Sequence, residues 1–129
     1  MNIYLSHASS FDYQTELYAP LKLSLAQHHS IFFPHETDSV HIKSKDVIAR
    51  ANIMLAEVSF PATGQGIEIG WADAFATPIV CFYRSADTPS RSLKFVTKNF
   101  IIYDTQDDMI AKLEAMLQKS SLMIKSSGL

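Results

Sequence analysis

A chain of 129 residues, 47% hydrophobic and 19% charged, can bury one sizeable core and has the composition of a single soluble domain. Its 11 basic and 13 acidic residues leave a net charge of −2, which offers no electrostatic footing for nucleic acid or an anionic membrane. No apolar run approaches the roughly 20 residues of a membrane span, Met1-Asn2-Ile3-Tyr4 lacks the basic start of a secretion signal, and the single cysteine, Cys81, cannot close an internal disulfide, so a reducing, cytoplasmic setting is expected.

Short apolar runs alternate with helical patterns along the whole chain. Strands are expected at Ile3-Tyr4-Leu5, at 30–33, 52–58, 79–83 and 100–103, with helices at about 13–28, 42–50, 66–76, 89–98 and 106–120. The third and fourth runs are almost wholly apolar, as central strands covered on both faces must be. Pro20 interrupts the first helix, whereas Pro89 suits the first turn of its helix, where no N–H is needed. The last helix is the clearest. Thr105 and Asp108 form a capping pair, and Met109, Ile110, Leu113, Met116 and Leu117 recur at helical spacing. The serine-rich end from Ser120 is expected to fray, which places the domain at 1–122 and a flexible tail at 123–129.

An α/β alternation of this kind predicts a doubly wound parallel sheet, in which ligands collect beyond the carboxyl ends of the strands. The residues that follow each strand therefore form a functional census. Ser6, His7 and Ser9 follow the first, His35 and Glu36 the second, and Glu57, Ser59 and a glycine-rich segment the third. Arg84 and Ser90-Arg91-Ser92 follow the fourth, and Asp104 the fifth. The five histidines show no metal-ligand spacing, so neither a metal nor a cofactor is expected. Cys81, inside the apolar run Ile79-Val80-Cys81-Phe82, reads as a buried core thiol.

The segment Ala62-Thr63-Gly64-Gln65-Gly66-Ile67-Glu68-Ile69-Gly70-Trp71-Ala72 is the most informative in the chain. Gly64 and Gly66 are read as a tight turn allowing close ligand approach, with Glu68 in the first turn of the following helix. There the helix dipole would favour its ionised form. A carboxylate so mounted can trap an oxocarbenium-like sugar.

The spacing Gly-x-Gly-x-Glu-x-Gly-x-Ala resembles the signature of nucleoside 2-deoxyribosyltransferases and their relatives, the 2'-deoxynucleoside 5'-phosphate N-hydrolases. Ile3-Tyr4-Leu5, Ala56-Glu57-Val58 and Pro78-Ile79-Val80-Cys81 extend the resemblance over about residues 2 to 104. It implies a flavodoxin-like, five-stranded parallel fold and N-glycosidic chemistry on a nucleoside or its 5'-monophosphate. It makes Glu68 the nucleophile and Tyr4 its catalytic partner. Ser6, His7, Ser9, Gly64 and Gly66 are candidate substrate contacts by position. Ser44, Asp46, Ala62 and Ser92 join them through the resemblance. Ala62 stands where the transferases have an aspartate and the phosphate hydrolases a serine. Ser44 stands where an aspartate serves the leaving base, with Asp46 as its nearby substitute, and the first loop lacks the arginine and glycines of the nucleotide hydrolases. A homodimer or larger homo-oligomer is implied, with Trp71, Phe75 and Phe95 as interface anchors. Leu5-Ser6-His7-Ala8-Ser9 also resembles the first box of TIR domains, which leaves a TIR-like NAD glycohydrolase as an alternative, beside a non-catalytic nucleotide-binding module.

Overall fold

The computed structural model describes residues 1–36 and 43–126, with side chains through Ser120. Five strands, β1 (Asn2–His7), β2 (Ser30–Phe32), β3 (Ile53–Glu57), β4 (Ile79–Arg84) and β5 (Phe100–Tyr103), form one parallel sheet in the order β2-β1-β3-β4-β5. This is the doubly wound arrangement expected from the alternation, in the flavodoxin-like form that the resemblance implies. The chain reverses its winding direction between β1 and β3, where His7 stands in register with Glu57 at the carboxyl edge.

Successive side chains along a strand point to opposite faces, and β1 sorts its residues that way. Ile3 and Leu5 enter a core with Leu17, Leu21, Val80, Phe82, Met109 and Leu113, beneath α1 (Ala19–Lys22) and α4 (Gln106–Ser126). Tyr4 enters the opposite core with Met54, Ala56, Ile69, Ala72 and Cys81, beneath α2 (Ser44–Arg50) and α3 (Thr63–Ala74). Cys81 is fully buried and its thiol is pushed up to about 12 by desolvation, which makes it inert.

Three helices form or begin differently from the sequence reading. The segment expected as one helix over 13–28 is a π-helical turn, Gln14–Tyr18, then the single α turn Ala19–Lys22, then a 3₁₀ turn, Leu25–Gln27. Pro20 has no N–H to offer Glu16 and its ring crowds that carbonyl, so the turn before it widens and the Ala19 N–H bonds Gln14 instead. The 89–98 segment is reduced to the 3₁₀ turn Arg91–Phe95, with Ser90 as its cap accepting from the Ser92 N–H at 3.3 Å. The third correction moves the start of α3 from 66 to Thr63.

The last helix forms as its periodicity dictates, with Met109, Leu113 and Leu117 buried and the Asp108 N–H donating to Thr105 Oγ1 at 3.1 Å. Asp108 reaches back to the Asp104 N–H rather than to that of Thr105. The helix continues to Ser126, past the expected end at 120 and the boundary at 122; positions 127–129 lie outside the described residues.

Candidate active site at the β1–β3 switch

The early start of α3 changes the mounting of Glu68. Ala62, in extended backbone (φ −155°, ψ 131°), is the N-cap and contributes no side-chain bond, while the Gly66 N–H already donates to the Ala62 carbonyl at 3.1 Å. Gly64 and Gly66 are therefore helical residues, not a tight turn; the chain bends earlier, at Ser59 and Phe60. A Cβ at Gly64, Gly66 or Gly70 would meet nothing within 4 Å, so these glycines keep the helix surface open. Glu68 lies in the second turn, beyond the reach of the helix-end dipole.

Its environment is instead made by β1. The Tyr4 hydroxyl donates to Glu68 Oε2, and the Ser6 hydroxyl donates to Glu68 Oε1 at 2.9 Å. Tyr4 and Ser6 are two apart on one strand and share its α3-facing side, so two donors converge on the two oxygens of one carboxylate. Tyr4 is fully buried and stacked on Phe32 with centroids 5.4 Å apart. Desolvation and the adjacent Glu68 push its ionisation far up, so the phenol stays protonated and remains a donor. Ser44, at the start of α2, hydrogen-bonds the same phenol, completing a Ser44–Tyr4–Glu68 series.

Burial raises the Glu68 carboxyl above its ordinary range, opposed by the Tyr4 and Ser6 bonds and by the positive potential of His35. The expectation that a helix dipole holds Glu68 ionised is thus corrected. Desolvation dominates, and side-chain donors oppose it.

His7, the next residue of β1, points to the other face. Its Nδ1–H donates to the Ala8 carbonyl at 2.7 Å, leaving Nε2 to accept from the Tyr18 hydroxyl at 2.6 Å; that hydroxyl in turn accepts from the His35 N–H at 3.1 Å. Desolvation lowers the His7 pKa to about 4, so it is a neutral, pinned imidazole. Its ring packs against those of Tyr13, Tyr18 and His35, with centroids 4.7 to 5.1 Å away. His35 is exposed, as are Ser9 in the first loop and Asp46 on α2.

Helix α3 stands between two open cavities. Glu68 lines one of about 510 Å³ with Lys43, Ser44, Gly64 and Trp71. Ala62, Gly66 and Ser92 line another, of about 690 Å³, together with Phe60 and Pro89. The candidate contacts are thereby divided, and Ser92 and Ala62 do not share the Glu68 cavity within one chain.

Glu57 is a second buried acid. Glu57, at the end of β3, accepts from the Ser59 N–H at 2.6 Å, from Ser59 Oγ at 2.9 Å and from the Tyr103 hydroxyl. Ser59 Oγ accepts from the Arg84 N–H at 2.9 Å, and Gln65 donates to the Glu57 carbonyl at 2.7 Å. The network ties the ends of β3, β4 and β5 to the first turn of α3. Tyr103 and Gln65 escaped the sequence reading, although Tyr103 ends a strand at the same edge, in register with Arg84. Among the described residues no group of three His, Cys, Asp or Glu is placed to hold a metal, and no helix is long and apolar enough to cross a membrane.

No family model matches the chain. It is 34% identical over 84 residues to the 5-hydroxymethyl-dUMP N-hydrolase of Branchiostoma floridae, a match covering 60% of this chain and 80% of the relative. Its fold is similar to that of the Clostridium botulinum CMP N-glycosidase BcmB, with a TM-score of 0.66 and 20% identity, over 88% of this chain and 99% of that one. The 2-deoxyribosyltransferase of Bacillus psychrosaccharolyticus is also similar, with a TM-score of 0.60 and 16% identity, over 84% of this chain and 90% of that one.

Proposed function

Because this chain belongs to the family of nucleoside 2-deoxyribosyltransferases and nucleotide N-hydrolases, an enzyme family of the N-glycosidic bond, we propose that it cleaves that bond in a nucleoside 5'-monophosphate. Neither the NAD-cleaving TIR-like alternative nor the non-catalytic binding module is favoured by the relatives it matches.

The observation that carries the proposal is the Glu68 carboxylate, gripped through both oxygens beside an open cavity. One oxygen attacks C1' of the sugar as the C1'–N bond breaks and its electron pair leaves with the base. Water, or a second base, then attacks C1' and returns the carboxylate. Fixing Glu68 under C1' supplies much of the rate through orientation. Tyr4 is its catalytic partner, and Ser44 supports Tyr4.

The monophosphate is favoured over the free nucleoside by the likeness to the 5-hydroxymethyl-dUMP N-hydrolase of Branchiostoma floridae. Ser92, Ala62 and Gly66 face a different cavity from Glu68, so a homodimer in which a second copy brings its own Ser92 to this Glu68 would unite the two sets. The exposed Phe95 (89%) and Phe75, with the half-buried Trp71, offer apolar surface for such a contact. A nucleotide substrate and a single reduced cysteine fit a cytoplasmic enzyme.

The test is a panel of ribo- and deoxyribonucleosides and their monophosphates, followed by chromatography of free base, with Glu68→Gln as control. Release of base from a monophosphate by the native chain alone is expected. Equal rates in the variant would sink the assignment, and sedimentation velocity at micromolar concentration would expose a monomer.

A further inference from the structure

Ser6 is expected from the sequence as a substrate contact, but its geometry aims it elsewhere. We infer that Ser6 is a positioning residue for the nucleophile, holding Glu68 in a fixed plane and in its ionised form so that it sets the acidic limit of the reaction. The inference rests on the reading of Glu68 as the nucleophile.

The argument begins with register. Ser6 lies opposite Ala56 of β3, one residue from the carboxyl end of β1, and is fully buried. Its hydroxyl donates to Glu68 Oε1 at 2.9 Å. Tyr4 holds Oε2 from the same strand face. A carboxylate gripped at one oxygen rotates about its last torsion, which is soft. One gripped at both oxygens by donors on a rigid strand does not. Both bonds also favour the charged form, because a carboxylate accepts more strongly than a carboxylic acid.

The other groups facing Glu68 do not make Ser6 redundant. From the loop after β2, His35 adds positive potential but is exposed and screened. From the start of α2, Ser44 bonds Tyr4 rather than the carboxylate, and Lys43 and Lys45 line the cavity. Tyr18 faces the other core. Only Tyr4 and Ser6 touch the carboxylate with hydrogen bonds among the described residues.

The experiment is a pH profile of kcat/KM for Ser6→Ala, Ser6→Cys and the native chain, on whichever monophosphate the native chain cleaves. Glu68 must be ionised to attack, so activity falls as pH falls through its pKa. Removing a donor to the charged form raises that pKa and moves the acid limb to higher pH. Ser6→Ala is expected to shift the limb up by about one unit and to lower kcat about tenfold, with KM nearly unchanged. Ser6→Cys, near in size with a weak donor, is expected to fall between. Thermal melts guard against a folding defect, and a carbon-13 titration of the Glu68 carboxyl reads the same shift without turnover. An unmoved acid limb with raised KM would make Ser6 a substrate contact and overturn the inference while leaving Glu68 in place. Activity retained in Glu68→Gln would instead overturn the reading beneath it.

Discussion

The Tyr4 hydroxyl donates to the Glu68 carboxylate from 64 positions away in sequence, joining the first strand to the helix after the third. The bond exists because β1 and β3 are neighbours in register and α3 packs back over both. Tyr4 stays protonated under burial, so the donor never becomes a competing anion. Replacing it by phenylalanine should therefore lower kcat more than it raises KM, with a loss of about tenfold or more from one charge-assisted bond. Steady-state kinetics on a monophosphate checks the split, and a pure KM effect would contradict it.

Glu68→Gln keeps size and polarity but removes the nucleophile. Turnover should drop at least ~10²-fold. Since the native carboxylate is desolvated, the amide should melt no lower than the native chain at neutral pH. A lower melting temperature would mean that the ionised form stabilises the fold more than burial penalises it.

Stability should depend on pH through groups of opposite sign. Burial raises Glu57 and Glu68 above the ordinary 4.5, so from about pH 4.5 upward the folded chain holds protons that the unfolded chain has lost. Their contribution is fully present below 4.5 and is lost as pH rises through each folded pKa. His7 works the other way. Its folded pKa of about 4 lies below its ordinary 6.5, so its contribution is present above 6.5 and is lost as pH falls toward 4. The shift corresponds to about 3 kcal/mol. Melting curves of His7→Gln should lose the acid-side destabilisation across pH 4 to 6.5, and nitrogen-15 spectra should show a neutral ring protonated at Nδ1. A His7 that titrates near 6.5 would refute this.

Glu57→Ala removes the common acceptor of Ser59 and Tyr103 and leaves their buried donors unpaired. A cost of about 3 kcal/mol is expected by urea titration, with activity falling further than Tm alone explains because the first turn of α3 is anchored through Gln65. A loss under about 1 kcal/mol would show that water replaces the carboxylate.

Phosphate recognition should separate from chemistry. If Ser92 from a second copy meets the 5'-phosphate, Ser92→Ala should raise KM for the monophosphate about tenfold and leave the free nucleoside unchanged. Comparing kcat/KM for the pair decides this, and a preference for the free nucleoside would align the chain with the transferases.

Local features are legible in the chain: five strands and their apolar faces, and the capped last helix, while the family resemblance singled out Glu68 and Tyr4. The strands and the helix depend on neighbours within a few residues, through periodicity and capping. Other features depend on residues far apart in the chain. The helix began three residues earlier than its glycines suggested, which moved Glu68 away from the helix end and left its charge state to desolvation and to Tyr4 and Ser6. The faces of β1 separated Ser6 from His7, and α3 separated Ser92 from Glu68. Glu57 gained Tyr103 as a partner 46 positions away. Such pairings follow from strand register and from which element covers which face, and burial sets the strength of each charge only once that cover is in place.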